Sequence, residues 1–383
     1  MNAPIAQADA AEQDETLVSV IVPVYNASRY LDQALESAER QTHANLEIIC
    51  VNDGSTDGSR DILAAHAERD QRIRIIDKKN GGYGSAMNRG IDEATGTWIA
   101  ILEPDDWIEP GMYADMLALA SQHADADPAV DVIEAPHWVV VDSDTPHERK
   151  LPCQYRGRVH PPKQPFTIHD APQLIAHHPS IWSALYRRGF LNDRGIRFME
   201  VPGAGWVDNP FLIETHCQAK AMLYLPRAYY CYRDDTPEKT AQMATRDPLL
   251  PFERWNDMVD VLERLGVTDP VIWTQQVTRA FTYMGGVVEY TGVGADPRIQ
   301  AAVHRMFDRM DPDIVFADPR VSPAAKRAFA DYRGIENPPI SRLMHLTDLV
   351  RQVSYRMWNQ GPREALHMVM RYLSSYSARS GSE

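Results

Sequence analysis

Apolar and polar positions alternate in long blocks over the first hundred residues of the chain. The run from Leu17 to Tyr25 is continuously apolar and rich in β-branched side chains, a pattern typical of a strand buried on both faces. The segments LEIICV, RIRIID and TWIAIL predict three more strands, and GSRDILAAHAERD and GSAMNRGIDEAT predict helices between them. After the first strand, apolar side chains recur at helical spacing at Tyr30, Leu31, Ala34, Leu35 and Ala38. Strands and helices that alternate through short connections predict parallel strands with right-handed crossovers.

Polar residues cluster where three of these predicted strands end. The clusters are PVYNAS after the first strand, NDGSTDGS after the second and EPDDW after the fourth. In open parallel sheets, ligands bind outside the carboxyl ends of the strands. We therefore expect the three clusters to face one crevice. The adjacent carboxylates Asp105 and Asp106 then have two interpretations: a turn, for which Asp is well suited, or a binding site.

The rest of the chain changes character twice. Between about residues 130 and 235, VDVIEAPHWVVV and AMLYLPRAYYCYR are predicted as strands, and SIWSALYRRGFL as a strand that continues into a helix. From residue 236 the pattern is helical, with candidate helices near 250–265, 270–290, 297–309, 341–358 and 362–376. The first sixteen residues are polar and acidic, which predicts a disordered tail rather than a signal peptide. The predicted organisation is a tail (1–16), an α/β region (17–235) and an all-helical region (236–383).

The composition narrows the class of protein. The 383 residues carry a net charge of −14, which argues against a general nucleic-acid binder. No run of about eighteen apolar residues is present, so no transmembrane helix is expected. The four cysteines are scattered without C-x-x-C spacing, which favours reduced thiols in the cytoplasm. From Arg320 onward the chain has ten Lys and Arg against five acids, and this basic end predicts an anionic neighbour.

Four blocks resemble, in order and spacing, those of the family 2 glycosyltransferases: VSVIVPVYN, VNDGSTDGS, KKNGGYGSAMNRGI and ILEPDDWIEPGMY. The later blocks SIWSALYRRGFL and WVDNPFLIE also match, so the resemblance extends from Leu17 to Arg233. It implies the GT-A fold, a Rossmann-like α/β domain with a mostly parallel sheet. Residues 17–110 would bind the nucleotide-sugar and residues 111–235 the acceptor. The helical last third shows no such resemblance.

The resemblance implies a pocket for the nucleotide at the ends of the first two strands. It would be lined by the PVYN segment, with Pro23 and Tyr25 beside the base and ribose and with Val24 and Asn26 next to them. Asp53 would accept a hydrogen bond from a uracil ring. The residue before it, where the family often has a second aspartate, is an asparagine, which leaves strict nucleotide choice open.

Two further residues have a donor-binding interpretation beside a structural one. Gly82 would let the backbone approach the diphosphate or would only turn the chain. Arg233 would contact the diphosphate, since guanidinium suits phosphate geometry, or would form a surface ion pair with Asp234 or Asp235.

By the same resemblance, EPDD corresponds to the metal-binding D-x-D element. Asp105 would lie near the ribose and Asp106 on Mn²⁺ or Mg²⁺, cations that prefer oxygen ligands, commonly carboxylates plus phosphate oxygens. Glu103 replaces a commoner Asp and keeps its charge. Asp208 takes the place of the catalytic base, and Val207 stands where the family has an acid before it. A lone base is compatible with inverting transfer by a single displacement. The competing interpretation of Asp208 is a helix N-cap.

The expected function is inverting transfer from a UDP-sugar to a hydroxyl of a glycan or glycolipid, as in surface-polysaccharide synthesis. Trp182 and Trp206 would line the acceptor site or pack as core aromatics. One alternative is a nucleotidyltransferase of similar architecture, which needs a Gly-rich and basic loop that PVYNASRY lacks. The other is a degenerate nucleotide-sugar-binding module, and the joint presence of Asp53, Asp105, Asp106 and Asp208 argues against it.

Three weaker patterns remain. GGYGSAMNRG only faintly resembles the dinucleotide-binding G-x-G-x-x-G motif, and FERW (residues 252–255) is interpreted as helix packing. The amphipathic segments RLMHLTDLVRQVSYRMW and REALHMVMRYLSSY, near the basic end, predict self-association or contact with an anionic membrane surface. Packing of these segments on the α/β region is the third possibility.

Overall fold

The computed structural model describes residues 16–176, 179–234, 247–291 and 296–370. The predicted N-terminal tail therefore lies, apart from Thr16, outside the described residues. The chain divides into two compact units. The first comprises Met1–Asp235 and Asp260–Val267, and the second Thr236–Val259 and Thr268–Glu383.

The first unit is an α/β domain. Its strands are β1 (Val18–Val24), β2 (Leu46–Asn52), β3 (Ile73–Asp77), β4 (Trp98–Ile101), β5 (Trp107–Ile108), β6 (Val132–Glu134), β7 (His137–Val141), β8 (Arg149–Pro152), β9 (Ala184–Arg187), β10 (Met222–Tyr224) and β11 (Tyr230–Arg233). Its helices are α1 (Leu31–Glu39), α2 (Ser59–Arg69), α3 (Tyr83–Glu93), α4 (Met112–Ser121), α5 (Arg188–Asp193) and α6 (Asp208–Gln218).

Seven of these strands form a mostly parallel sheet in the order β10-β6-β9-β4-β1-β2-β3. Only β9 runs antiparallel to its two neighbours, β4 and β6. The four strands predicted in the first hundred residues are β1 to β4, and their parallel arrangement is confirmed. A second sheet has the order β5-β11-β7-β8. The mostly parallel α/β fold is as expected.

The strand β1 is central and buried along its whole length. A proline in such a strand needs explanation, because it cannot donate to a neighbouring strand. The carbonyl of Ile21 accepts a hydrogen bond from the N–H of Leu102 just beyond β4. The backbone nitrogen of Pro23, two residues further along β1, faces the same edge of the strand. The β4 pairing ends at Ile21, so the missing N–H of Pro23 falls where no partner strand remains.

Two apolar runs that were predicted as single strands each divide between the two sheets. VDVIEAPHWVVV forms β6 in the large sheet and β7 in the small one, with Pro136 between them. AMLYLPRAYYCYR likewise forms β10 and then β11, with Pro226 between them. Both passages bring the chain from the large sheet to the small one. The prediction for SIWSALYRRGFL is confirmed, since β9 runs directly into α5.

The second unit is built of helices. Its helices are α7 (Leu250–Arg264), whose last turn belongs to the first unit, α8 (Pro270–Thr291), α9 (Pro297–Asp308), α10 (Pro312–Ala317), α11 (Pro323–Arg333) and α12 (Arg342–Asn359). A further helical stretch covers residues 362–370. The sequence pattern missed α10 and α11. The FERW motif packs as predicted, because Trp255 is buried and its Nε1 donates to the Gln276 carbonyl at 2.8 Å. Within the described residues, no helix is both long and apolar enough to cross a bilayer.

Candidate active site

The loops after β1 and β2 are joined by hydrogen bonds. The side-chain Oδ1 of Asn26 accepts from the Thr56 N–H at 2.8 Å, and the Asn26 N–H donates to the Ser55 hydroxyl at 3.1 Å. Pro23 and Val24 are buried in β1, whereas Tyr25 is 52% exposed at the end of that strand. Of the PVYN segment, the Tyr25 ring is therefore a surface on which a ligand can stack, while Asn26 shapes the loop.

Asp53 lies immediately after β2 and is only 2% exposed. Its Oδ1 accepts hydrogen bonds from the Lys78 ammonium at 2.5 Å and the Gly81 N–H at 3.0 Å, and its Oδ2 accepts from the Gly82 N–H at 2.9 Å. The carboxylate therefore anchors the loop between β3 and α3. Because a carboxylate offers about four acceptor sites, one further donor fits, and the contact with a uracil ring stays a prediction.

Two glycines, one just before α3 and one in its first turn, allow another segment of the backbone to approach closely. Gly82 has φ of +89°, and a Cβ there would lie 2.2 Å from the Val201 carbonyl oxygen. A Cβ at Gly84 would lie 1.9 Å from the Met199 carbonyl oxygen. A side chain at either position would therefore collide with the backbone of residues 199–203, the segment that leads towards Asp208. A contact between Gly82 and a diphosphate stays a prediction.

The side chain of Asn88 in α3 holds the same segment. Its Oδ1 accepts from the Phe198 N–H at 2.8 Å, while its Nδ2 donates to the Phe198 carbonyl at 3.0 Å and to Glu200 Oε1 at 2.9 Å. The Asn88 amide thus bonds both the N–H and the carbonyl of Phe198, as the backbone of a neighbouring β-strand would. The amide therefore fixes the path of the chain before the predicted base.

Asp106 is buried in the turn after β4, with 2% of its surface exposed. Its Oδ1 accepts the backbone N–H of Arg233 at 2.7 Å. Its Oδ2 is buried and has no hydrogen-bond partner among the described residues. Burial, followed by the charge of Asp105, raises the pKa of Asp106 well above its usual value. A carboxylate oxygen left in this state fits a bound cation.

These residues fit the divalent cation that the resemblance implies. Throughout the described ranges, no group of three or more His, Cys, Asp and Glu side chains is arranged to hold a metal ion. Mg²⁺ and Mn²⁺ at phosphate-binding sites commonly take only one or two carboxylates and complete their coordination with phosphate oxygens and water. Asp106, with the half-buried Asp105 beside it, meets that requirement.

An aromatic stack supports Asp106 from β11. The Tyr230 hydroxyl accepts the Glu103 N–H at 3.0 Å, and its ring stacks on Trp182 with centroids 4.1 Å apart. Trp182 also stacks on Tyr232 at 5.4 Å and meets His137 edge-on at 4.7 Å. Only 3% of Trp182 is exposed. Its contacts are those of a packed core aromatic, so little of its surface remains for an acceptor.

Arg233 is buried, with 3% of its surface exposed. Asp235, one of its two predicted ion-pair partners, lies outside the described residues. The Nε of Arg233 donates to the Asp105 carbonyl at 2.9 Å and its Nη1 to Asp144 at 2.9 Å. The guanidinium also lies 4.0 Å from the centre of the Tyr30 ring. These contacts fix the backbone of the EPDD turn, and a direct contact with a diphosphate stays a prediction.

Tyr83 connects the loop of Asp53 to the carboxylates. Its N–H donates to the Gly203 carbonyl at 2.9 Å, and its hydroxyl donates to Glu103 Oε1 at 2.5 Å. Burial raises the pKa of Glu103 to about 8, with further contributions from the charges of Asp105 and Asp208. Burial and the charges of Glu103 and Asp208 likewise raise the pKa of Tyr83. Asp208 therefore lies near enough to Tyr83 and Glu103 for its charge to act on both.

Asp208 is the first residue of α6, and the N-cap position belongs to Val207 without a side-chain capping bond. The N-cap interpretation of Asp208 is therefore wrong. Its Oδ1 accepts from the Asn209 N–H at 3.1 Å. The preceding turn contains three residues with positive φ, of which Gly203 and Gly205 are glycines and Trp206, at +52°, is not. Trp206 is half-buried. A bulky residue in the left-handed region is strained and is held there by its surroundings.

Comparisons with known proteins agree with this geometry. Residues 19–194 match the sequence model of Glycosyl transferase family 2. The chain carries a family 2 glycosyltransferase domain. The uncharacterized glycosyltransferase EpsJ of Bacillus subtilis (strain 168) is 31% identical over 234 residues, which cover 57% of this chain and 61% of EpsJ. The chain thus spans less than two thirds of the length of this relative.

Solved structures show the same fold as this chain. The crystal structure of S. aureus TarS residues 1–349 superposes with a TM-score of 0.58 at 18% identity and covers 90% of this chain and 92% of that one. The same TarS fragment in complex with UDP-GlcNAc gives a TM-score of 0.56 at 18% identity, with the same coverage. At this identity the likeness concerns the fold, and it confirms the predicted GT-A architecture.

Several residues of the family 2 domain's site were missed by sequence reasoning. They are Lys78, Tyr83, Asn88 and Tyr230. Lys78 offered a signal, as a basic residue directly after a strand of a parallel sheet, where ligands bind. The roles of Tyr83 and Tyr230 depend on partners 20 and 127 residues away, which no local pattern reveals.

Proposed function

We propose that this protein is an inverting glycosyltransferase that moves a sugar from a UDP-sugar to a hydroxyl group of a glycan or glycolipid. Its main support is the buried Asp106 carboxylate, whose Oδ2 has no hydrogen-bond partner among the described residues. Asp105 and Glu103 lie beside it, and the charge of Asp208 acts on Glu103. Neighbouring carboxylates disfavour each other's charge, and a nucleotide diphosphate would add more. Such a site calls for a cation.

The donor would bind along the carboxyl edge of β1, β2 and β4. Tyr25 offers an exposed ring for the base or ribose, and Asp53 has acceptor capacity left beside its bonds to Lys78, Gly81 and Gly82. The TarS fragment was solved with UDP-GlcNAc, which makes UDP-sugars the first donors to test.

Asp106 and Asp105 would hold Mn²⁺ or Mg²⁺. Such a cation, when bound, offsets the negative charge of a leaving diphosphate as a Lewis acid. The protein's own contribution is to hold the Asp106 carboxylate in place through the Arg233 N–H, while the Tyr230 hydroxyl holds the Glu103 N–H in the same turn.

Asp208 would act as the general base. Its carboxylate takes the proton of the acceptor hydroxyl while the hydroxyl oxygen forms a bond to the anomeric carbon. The bond from that carbon to the diphosphate oxygen breaks at the same time, and UDP leaves with the electron pair, which inverts the anomeric configuration. A positioned base contributes typically about 10²–10⁴ in rate. Trp206, two residues before Asp208 and half-buried, is the better placed of the two tryptophans to touch an acceptor.

The test is release of UDP from a panel of UDP-sugars with Mn²⁺, first without an acceptor and then with candidate glycans, with GDP-mannose as the control donor. We expect one UDP-sugar to be hydrolysed and GDP-mannose to be left intact. Binding of UDP without any turnover would favour the degenerate binding module. We place the reaction in the cytoplasm, in line with the reduced thiols expected of scattered cysteines.

A further inference from the structure

Exposed apolar side chains concentrate at the C-terminal end of the described chain. Among the described residues ten large apolar side chains are exposed, and eight of them lie between residues 343 and 370. They are Leu343, Met344, Leu346, Val350, Met357, Trp358, Leu366 and Met370. Scattered single apolar residues on a surface are ordinary, but a contiguous group indicates a binding surface.

Helix α12 presents its apolar side to solvent. Leu343, Leu346, Val350 and Met357, which we call the α12 apolar face, fall within an arc of about 60° at 3.6 residues per turn. The residues that α12 buries are instead polar, His345 and Asp348. His345 Nδ1 is 2.9 Å from the Pro319 carbonyl, and Asp348 Oδ1 accepts from Arg351 at 2.7 Å. The helix thus packs through its polar side, and Leu343 is left 74% exposed.

Arginines border the α12 apolar face on both sides. Arg342 lies about 40° beyond one edge of the arc and Arg356 about 80° beyond that edge, while Arg351 lies about 80° beyond the other. The sequence of α12 contains one acidic residue, Asp348, which is buried and bonded to Arg351. In the helical stretch that follows, Arg363 shares a side with the exposed Leu366 and Met370. The apolar strip is therefore framed by positive charge.

These charges distinguish between two possible partners of the α12 apolar face, a second copy of the chain and an anionic lipid surface. In a symmetric pairing with a second copy, flanking residues of opposite charge would normally stabilise the interface, and α12 has no exposed carboxylate to complement its arginines. An anionic lipid surface supplies that negative charge along both edges, and arginine side chains reach lipid phosphates while their stems cover apolar surface. Trp358, 89% exposed near the end of α12, is a residue type that collects at membrane interfaces.

We propose that the α12 apolar face lies in the surface of an anionic lipid bilayer, with Arg342, Arg351 and Arg356 on the lipid phosphates. An in-plane amphipathic helix of this kind combines an apolar strip with basic flanks. The protein as a whole has a net charge of −14, so an anionic surface repels most of it and is approached through this basic end. The surface belongs to the second unit and does not depend on the proposed sugar transfer.

The test is flotation of the full-length protein with vesicles of neutral phosphatidylcholine, and with vesicles in which about a third of the lipid is anionic phosphatidylglycerol. We expect the wild type to float with the anionic vesicles only, and less so as salt is raised. The variant Leu346→Gln/Val350→Gln changes two exposed residues. Its partition into anionic vesicles should fall about tenfold or more, because less apolar surface is transferred from water into the bilayer on binding. Arg342→Gln/Arg356→Gln should lower it about 25-fold, from roughly fivefold for each charge.

The matched control is Arg40→Gln/Arg89→Gln, which removes two exposed arginines that pair with Glu36 and Glu93 on the first unit. It should float like the wild type, and circular dichroism of all variants should match. Three outcomes overturn the proposal: no flotation of the wild type, equal flotation of Leu346→Gln/Val350→Gln, or an equal loss in the control. If light scattering shows an oligomer that Leu346→Gln/Val350→Gln dissociates while the wild type ignores vesicles, the α12 apolar face belongs to a second copy.

Discussion

The backbone N–H of Arg233 donates a 2.7 Å hydrogen bond to Oδ1 of Asp106, 127 residues earlier in the chain. It joins the end of β11 to the turn after β4 and leaves the other oxygen of the carboxylate without a partner among the described residues. Because a backbone group supplies this bond, no substitution of Arg233 other than proline removes it. The orientation of Asp106 therefore depends on the position of β11 itself.

The Tyr230 hydroxyl accepts the Glu103 N–H in the turn that carries Asp106, and Tyr230→Phe tests its role. The variant leaves the Glu103 N–H without its acceptor, an unsatisfied buried group that costs about 1–3 kcal/mol of unfolding free energy. We expect weaker Mn²⁺-dependent UDP binding in calorimetry and a lowered melting temperature. Tyr232→Phe is the control, since its ring also stacks on Trp182. An equal loss of UDP binding in both variants would mean that the loss of either hydroxyl disturbs the site and that the Tyr230 hydroxyl has no specific role.

Metal dependence should rest on Asp106 more than on Asp105. Asp106→Asn keeps an acceptor for the Arg233 N–H but removes the charge, so transfer should fall about a hundredfold or more. Chelation with EDTA should abolish wild-type activity, and Mn²⁺ or Mg²⁺ should restore it. Asp92→Asn, at an exposed pair with Arg197, should have no effect. Wild-type turnover of Asp106→Asn in metal-free buffer would contradict the assignment.

Asp208→Asn separates binding from chemistry. Asp208 is not the N-cap of α6, and asparagine keeps an oxygen for the Asn209 N–H, so the substitution should cost only the interaction of the charge with the helix dipole, about 0.3–1 kcal/mol. UDP binding should persist, and transfer should fall by about a hundredfold or more. Glu200→Gln is the comparison, because Glu200 is the next acid in the same segment and is hydrogen-bonded by Asn88. A normal rate in Asp208→Asn together with a slow Glu200→Gln would move the base to Glu200.

Gly84→Ala tests the close approach of α3 to the segment before Asp208. The new Cβ would lie 1.9 Å from the Met199 carbonyl oxygen, so backbone must move, at a cost of about 1–3 kcal/mol. We expect a lower melting temperature and, because the segment leads to Asp208, slower transfer. Gly58→Ala is the matched control, since its nearest neighbour would be 3.8 Å away. Equal melting temperatures and transfer rates of the two variants would show that the segment before Asp208 can shift without loss of stability or activity.

Glu47 links β2 to the turn before β4, and its contribution to stability should depend on pH. Burial raises its pKa, but hydrogen bonds from Ser19, Thr95 and Gly96 outweigh burial and lower it overall. A pKa lowered on folding stabilises the protein above the unfolded-state value of about 4.3, and the effect is lost as pH falls through the folded value.

Melting temperatures of Glu47→Gln and wild type should therefore differ most near neutral pH and converge towards about pH 3. Glu36→Gln, at an exposed pair with Arg40, should show no such trend. A difference between Glu47→Gln and wild type that is constant with pH would mean that the charge of Glu47 is not what stabilises the turn.

Much of the α/β fold was predictable because its signals are local. The apolar run from Leu17 to Tyr25 became β1, and the helical spacing of Leu31, Ala34, Leu35 and Ala38 became the buried side of α1. VDVIEAPHWVVV was harder, since its residues suit a strand along the whole run. The chain passes from the large sheet to the small one at Pro136, and this depends on the strands with which each half of the run pairs. The first half, β6, pairs with β9 and β10, and the second half, β7, pairs with β8 and β11.

The amino-acid sequence alone predicted β1 to β4 with the helices between them, and it placed Asp53, Asp105 and Asp106 after the carboxyl ends of β2 and β4. Tertiary structure alone decided what those acids contact: Asp53 with Lys78, Gly81 and Gly82, and Asp106 with β11. It also decided that α12 faces its unit with His345 and Asp348 rather than with its leucines. Periodicity reports which residues share a side of an element, because that follows from local backbone geometry. Which side is covered depends on residues far away in the chain, and their positions are set only when the whole chain packs.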